Sequence, residues 1–457
     1  MIPDDTIAAI ATPPGVGGIA VVRISGSTAI NTAGRIYQGW QSLTESKSHR
    51  ALFGTIIDPE SSERVDSVIV NVFRSPHSYT GEDTVEISCH GGILNSNKIL
   101  ELVLRAGARL AEPGEFTRRA FLNGKMDLTQ VEAVADLIHA KTEAARRSSA
   151  NQVVGLLSDE VKSLRSELIQ LCSLIEIDLD FAEENLIDIG RQKILSSIHK
   201  AKTRLQKLLE TYTFGHLLRE GAYVNIVGPP NVGKSSILNA LLRKNRAIVS
   251  DVPGTTRDYI EEGIDIDGLP VILRDTAGLR ESKNTIEAIG IGLTEEHLER
   301  ADLNMLVVDS SVPDNPESQM AANKVSKTEV PFLVCLNKID KSDDNRISEL
   351  EDRFKRTIRV SAKTFVGIDK LRSEIRSMLA CEVPVDSPVI SRMRHKEAIS
   401  KSLSFLNSAE ETVKNGLSNE FASVDVRSAV DSLGEIIGEV TSVEVLNNIF
   451  SNFCIGK

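Results

Sequence analysis

The residues with the clearest chemical use are Lys234 and Ser235, which end the run "GPPNVGKSS". Gly228, four intervening residues, Gly233, Lys234 and Ser235 follow an apolar strand and open a helix, the context a phosphate-binding loop requires. Glycines let backbone N–H groups wrap phosphates, Lys234 brings a cation to the β and γ groups, and Ser235 offers a hydroxyl to Mg²⁺. Further along, Asp275 ends a strand in "DTAGLRE" and Gly278 gives the backbone freedom to approach a γ-phosphate. "NKID" ends another strand, and its Asp340 can accept from the paired N1–H and N2–H donors of guanine. Adenine lacks that pair, so the carboxylate selects GTP against ATP. "SAK", Ser361 to Lys363, closes the base pocket, and either Thr255 or Thr256 in "DVPGTTRD" supplies the remaining Mg²⁺-sensing hydroxyl. Four motifs in order, each at a strand end, spell a guanine-nucleotide switch. Yet Leu279 occupies the place where many such proteins carry a water-orienting glutamine.

Apolar runs at "AYVNIVG", "GIDIDGLPVILRD", "LNMLVVD", "PFLVCLN" and "RTIRVSA" alternate mostly with helix-like stretches, which predicts a largely parallel sheet covered on both faces. "DGLP" predicts a hairpin and one antiparallel edge strand. Residues 1–120 alternate short β-rich runs with turns and one helix near 93–106, a small α/β domain. Residues 121–215 are helical: Val161, Leu164, Leu168, Leu171, Ile175 and Leu179 line one face, and Ile194, Ile198, Leu205 and Leu208 line another. After the connector "CEVPVDSPVI" helical periodicity returns, so 381–457 is expected to complete a discontinuous helical bundle around an inserted P-loop domain, 216–380. The fold class is multidomain α/β plus all-α.

With 457 residues and 41% apolar content the chain can bury several cores, and length suggests roughly three domains. A formal charge of −11 argues against general polyanion binding, so any RNA contact must be local. Five cysteines without a C-x-x-C pair fit neither a disulfide framework nor a zinc site, and a reducing cytoplasm is the expected compartment. The acidic, proline-broken start lacks signal-peptide character, and no apolar run approaches the ~20 residues that span a bilayer. "CIGK" has a prenylation frame but ends in Lys457, with no polybasic stretch before it, so lipidation is not expected.

The chain resembles the MnmE (TrmE) family of tRNA modification GTPases from end to end, through "TPPGVGGIAVVRISG", "GEFTRRAFLNGKMDL", "GPPNVGKSS", "SDVPGTTRD", "DTAGLRE" and "FCIGK". The resemblance implies a K⁺ ion beside the phosphates, held by Asn231, the carbonyls of Ser250 and Val252, and Thr255, with Thr256 joining Ser235 at Mg²⁺. The water-orienting role then falls on Glu287, a residue that by itself reads as a solvated charge on a charged helix. Implied nucleotide contacts are Asn231, Val232, Gly233, Lys234, Ser235 and Ser236; Ser250, Asp251, Val252, Pro253, Gly254, Thr255 and Thr256; Asp275, Thr276, Ala277 and Gly278; Asn337, Lys338 and Asp340; and Ser361, Ala362 and Lys363. In residues 1–120 it implies a constitutive dimer contact and a pocket for 5-formyltetrahydrofolate or another tetrahydrofolate derivative, contacted by Arg23, Glu86, Lys125 and Lys457. "GVGG" before the first such position is then a turn, not a second nucleotide loop.

Cys454 reads equally as a reactive thiol near Lys457 and as a small buried apolar residue. A helical face with Arg118, Arg119, Lys125, Arg146, Arg147, Arg392, Arg394 and Lys396 is a candidate seat for tRNA, against the ordinary reading of dispersed solvated cations. The implied activity is K⁺-activated GTP hydrolysis. With an MnmG-type partner that uses FAD and NADH, it installs an aminomethyl or carboxymethylaminomethyl group at C5 of the wobble uridine of certain tRNAs. The alternative is a ribosome-assembly GTPase switch, although no KH-like or OB-like tail follows residue 380.

Overall fold

In the computed structural model, residues 5–180, 187–243, 260–275, 298–313, 316–379, 384, 386–440, 442–451, 453 and 455–457 are described. Leu179, Cys381 and Cys454 lie outside the described residues or side chains. The described chain forms two compact units: Met1–Ala135, Val153–Arg165 and Val430–Lys457 make the first, Asp136–Gln152 and Ser166–Ala429 the second.

The first unit is built on seven strands: β1 (Ile7–Ile10), β2 (Ile19–Ser25), β3 (Tyr37–Gly39), β4 (Arg50–Ile57), β5 (Arg64–Phe73), β6 (Thr84–His90) and β7 (Arg109–Leu110). They lie in the order β3-β4-β5-β6-β2-β1-β7, antiparallel except where β1 meets β7. Alternation dictates the faces: Val68, Val70 and Val72 of β5 point into the core with Ile99, Leu102 and Val103 of helix Ile93–Arg105, while Ile69 between them is exposed. "GVGG" is a bent, irregular stretch leading into β2.

A charged knot lies inside this unit. Arg119, on helix Glu115–Leu122, is 1% exposed and meets Asp5 at 2.5 Å, Glu115 at 3.0 Å and Glu82 at 3.2 Å. Arg109 adds a 2.5 Å contact to the same Glu115. Arg119 is therefore no surface cation, which corrects its place in the candidate RNA-facing set; carboxylates meet both terminal nitrogens of the guanidinium, which keeps the charge tolerable in a core although its buried Nε has no partner among the described residues.

The second unit carries the other sheet: β8 (Ala222–Val227), β9 (Ile260–Ile266), β10 (Leu269–Asp275), β11 (Leu303–Asp309), β12 (Phe332–Asn337) and β13 (Thr357–Arg359), in the order β13-β12-β11-β8-β10-β9. All neighbours are parallel except β9 with β10. The reversal at "DGLP" works because Asp267 (φ 50°) and Gly268 (φ 86°) both take left-handed backbone, as a two-residue hairpin turn demands. Val224, Ile226, Met305, Val307, Leu333 and Cys335 are fully buried in one cluster, with Ile368, Leu371 and Ile375 of helix Ile368–Leu379. On the opposite face Val227, Leu306, Val334 and Leu336 pack with Val325 and Ile347, so the sheet is covered twice. In the same unit, helix Ile187–Glu210 packs against helix Met393–Lys414, two stretches brought together from either side of the sheet's sequence. Val161, Leu164, Leu168, Leu171, Ile175, Ile194, Ile198, Leu205 and Leu208 are all buried, as their spacing predicts. Cys89, Cys172 and Cys335 are buried and form no disulfide. Among the described residues no helix is long and apolar enough to cross a membrane.

Removing one partner from the knot strands buried carboxylates. Arg119→Ala is expected to destabilise the first unit by about 3–5 kcal/mol in denaturant titration. Burial alone raises the Glu115 carboxyl, but Arg109, the Glu112 amide and Arg119 outweigh it and hold the group below its ordinary 4.5. Its contribution is complete above that pH and is lost as acid carries the pH down through the folded value. The variant's stability should accordingly fall less than wild type's between pH 5 and pH 3, a window set by about the ordinary carboxylate values.

Candidate phosphate loop and N-terminal pocket

The loop between β8 and helix Lys234–Arg243 owes its shape to three left-handed residues, Gly228 (φ 153°), Asn231 (φ 64°) and Gly233 (φ 97°). At two of them space as well as φ demands glycine: a Cβ on Gly228 would lie 2.6 Å from the Val307 carbonyl, and one on Gly233 2.3 Å from the Asn337 amide nitrogen. Lys234 is 6% exposed, and its ammonium donates to the carbonyls of Gly228 and Pro229, each at 2.8 Å. Burial lowers its pKa, partly offset by Asp275. A buried cation at a helix N-terminus, beneath a loop of backbone N–H groups, is built to receive a polyanion.

Ser235 Oγ donates to Asp275 Oδ2 at 3.1 Å, which brings the loop to the end of β10. A hydroxyl and a carboxylate are hard oxygen donors, and these two fit Mg²⁺. Among the described residues no group of three or more His, Cys, Asp or Glu could hold a metal ion.

At the end of β12, Asn337 is 2% exposed and holds two motifs together: its Nδ2 donates to the Val232 carbonyl at 2.9 Å and its Oδ1 accepts from Ala362 N at 3.2 Å. Asp340 is exposed and accepts from the buried Ser361 hydroxyl at 2.6 Å; that bond holds its carboxyl below the ordinary range. Lys338 reaches back to the Asn231 carbonyl at 2.7 Å. The structure thus gathers Asn231, Val232, Gly233, Lys234, Ser235, Asp275, Asn337, Lys338, Asp340, Ser361 and Ala362 along the ends of β8, β10 and β12, with Ser236 exposed on the helix and Lys363 exposed after Ala362. Ser250, Asp251, Val252, Pro253, Gly254, Thr255, Thr256, Thr276, Ala277, Gly278 and Glu287 lie outside the described residues.

In the first unit, Arg23 and Glu86 are register partners on β2 and β6, and Arg23 Nε meets Glu86 Oε1 at 2.9 Å. The guanidinium also donates to the Gly456 carbonyl at 3.3 Å and lies 5.4 Å from the Tyr79 ring and 5.6 Å from that of Phe116. Gly456 (φ 97°) lies so close to β1 that a Cβ there would be 2.5 Å from the Ile10 carbonyl. The half-buried Lys457 follows directly on the residue whose carbonyl Arg23 holds. Lys125 stands elsewhere, donating to the Pro76 carbonyl at 3.0 Å and lining an open recess of about 370 Å³ with His49, Phe73, His77, Ser78 and Tyr79. Tyr79 connects the two places. Charged and aromatic groups at this junction suit a flat, anionic heterocycle.

Three residues of consequence escaped sequence reasoning. Tyr79 carries no motif. Arg119 reads like any helix cation. Asp309, which ends β11 as Asp275 ends β10, could have been found by noting that "LNMLVVD" stops on a carboxylate as "LPVILRD" does. Of the remaining cations in the candidate RNA-facing set, Arg146 pairs with Glu143, Arg147 with Asp386 and Arg392 with Asp136, while Lys396 lies 4.6 Å from the Tyr212 ring centre.

A model described as the MnmE helical domain matches residues 128–454, and one described as the GTP-binding protein TrmE N-terminus matches residues 6–125. A tRNA modification GTPase MnmE of Carboxydothermus hydrogenoformans is 42% identical, covering 99% of this chain and 100% of that protein. The corresponding protein of Acetivibrio thermocellus is 40% identical over all of both chains. Among solved structures, the G domain of the T. maritima FeoB iron transporter is 25% identical and covers 35% of this chain and 99% of its own, at a TM-score of 0.27 too low to bear on the assignment.

Gly233→Ala is expected to push Asn337 off the Val232 carbonyl and to weaken binding of a fluorescent guanine nucleotide by about a hundredfold or more, with the thermal unfolding of the first unit unchanged.

Proposed function

The chain belongs to the MnmE (TrmE) family of tRNA modification GTPases, and on that premise we propose that it hydrolyses GTP in the service of wobble-uridine modification. The observation that supports this most is the Asn337 side chain, which ties the phosphate loop to the segment that would close over guanine. In this reading the loop amides and Lys234 hold the β and γ phosphates, and Asp340, held charged by Ser361, accepts from the base. Ser235, Thr256 and Asp275 would hold Mg²⁺, which neutralises phosphate charge when bound. Asn231, Ser250, Val252 and Thr255 would hold K⁺, which takes the place an arginine finger fills elsewhere. Glu287 orients the water whose oxygen bonds to the γ-phosphorus as the bond to the β–γ bridging oxygen breaks, releasing GDP and phosphate.

Around this engine we assign the chain four segments: 1–120 for dimerisation and a tetrahydrofolate derivative, 121–215 and 381–457 for the helical domain, and 216–380 for the GTPase. The folate reading draws support from Arg23 and Glu86 meeting where Arg23 holds the carbonyl just before Lys457, with Lys125 reached through Tyr79. A homodimer draws support from an exposed apolar pair on β4 and β5, where Phe53 (65% exposed) lies opposite its register partner Ile69 (49%). Cys454, shortly before Lys457, is the candidate reactive thiol. The partner would be an MnmG-type protein supplying FAD and NADH, the substrate tRNA, the group added aminomethyl or carboxymethylaminomethyl, and the compartment the cytoplasm.

GTP turnover in K⁺ is expected to exceed that in Na⁺ by at least about tenfold, and Asn231→Ala should abolish the difference. Equal turnover in the two salts by the wild-type protein rules out cation activation. With the MnmG-type partner, folate derivative, glycine or ammonium, FAD, NADH, GTP and K⁺, hypomodified tRNA should gain the C5 group; nucleoside analysis showing none defeats the modification reading.

A further inference from the structure

The end of β11 bears a carboxylate to which no role has been given. Asp309 is the register partner of Asn337 on the neighbouring parallel strand. Its Oδ2 lies 2.5 Å from the Lys338 ammonium, which also donates to the Asn231 carbonyl at 2.7 Å. The carboxylate is itself fixed, because Oδ1 accepts from Ser311 N at 3.0 Å and from Ser311 Oγ at 2.6 Å. Beside it, Ser310 Oγ donates to the Asn337 carbonyl at 2.7 Å. The Asp309 side chain is only 10% exposed, so its attraction for Lys338 acts in a medium that screens poorly.

Two features indicate that this bridge serves ligand binding as well as packing. Lys338 and Asn231 both hold φ at 64°, left-handed backbone that ordinary side chains avoid and that persists where surrounding bonds impose it. The ammonium is the group that joins them. Lys338 is the middle of the base-reading run and Asn231 the middle of the phosphate loop, so whatever orients the ammonium fixes the distance between the ends of a bound nucleotide. A lysine has four rotatable carbons and would sample many positions without a fixed anion to aim it.

We propose that Asp309 is a positioning residue for the guanine nucleotide, holding the Lys338 ammonium on the Asn231 carbonyl so that the base-reading segment and the phosphate loop act as one body. The proposal rests on the GTPase reading above. It places Asp309 outside contact with the nucleotide and makes its effect pass through Lys338.

The test is a double-mutant cycle on the full chain, read as the Kd for a fluorescent GDP. Asp309→Asn and Lys338→Met should each weaken binding by about tenfold, the loss of one charge-assisted bond, and the double variant should be no more than about twofold weaker than the worse single. kcat at saturating GTP and K⁺ should stay within about twofold of wild type in Asp309→Asn while KM rises with Kd. Additive losses, or an Asp309→Asn variant that binds GDP as wild type does, overturn the proposal. If Asp309→Asn does not fold, Ser311→Ala, which loosens the carboxylate without removing it, should weaken binding by about threefold; unchanged affinity there overturns the proposal equally. A wild-type protein that binds no GDP defeats the GTPase reading itself, whereas normal wild-type binding with unaltered variants defeats only the role of Asp309.

Discussion

Everything at the nucleotide end of the second unit hangs on the burial of one amide. Asn337 ends the second strand in from one edge of a sheet covered on both faces and is buried where an unmet donor or acceptor is costly, and both ends of its side chain are satisfied by other segments' backbone. Neither Val232 of the phosphate loop nor Ala362 of the "SAK" segment can shift away from Asn337 without exposing that cost. Gly233 is glycine because the same amide nitrogen occupies the space a Cβ would need. One polar group therefore fixes a loop shape, a glycine and the distance between two motifs that are more than a hundred residues apart in sequence.

The first unit solves a similar problem with charge. Arg23 lies near two aromatic rings, pairs with Glu86 across strands and donates to the carbonyl of Gly456, so the end of the chain is seated by a residue near its start. Deeper in, Arg119 gathers Asp5, Glu82 and Glu115 around a single guanidinium. Such knots contribute less to stability than apolar packing of the same volume would, but they penalise any arrangement that separates their members. Here that means the strand order near β1 and the placement of helix Glu115–Leu122 are fixed together.

How far could these arrangements be read from the sequence? Periodicity carried the strands and long helices, because an apolar residue every second or every third to fourth position leaves few alternatives for burial; the buried face from Val161 to Ile175 is an example. The hairpin at Asp267–Gly268 was legible because left-handed backbone restricts residue choice. The phosphate loop and "NKID" were legible because their chemistry needs residues adjacent in sequence. What remained hidden was every role created by long-range contact. Arg119 and Tyr79 owe their meaning to partners distant in sequence, and nothing in the local pattern distinguishes them from a solvated cation or an ordinary core ring. Arg23 and Glu86 entered through family resemblance, and only the β2–β6 register makes them neighbours.

Lys234 shows how the energetics of the fold and the proposed chemistry meet. A buried ammonium is disfavoured by desolvation, and the carbonyls of Gly228 and Pro229 return only part of what water would give. Folding thus places a cation where its charge is under-compensated, at the N-terminus of a helix whose dipole points the same way. A polyphosphate brought to this loop relieves both at once, so its binding free energy includes the release of a strain already present in the protein. By linkage, whatever binds there stabilises the folded second unit by an amount that grows with the logarithm of its affinity and concentration. An electropositive, partly unsatisfied site thereby makes the ligand part of what holds the nucleotide domain together.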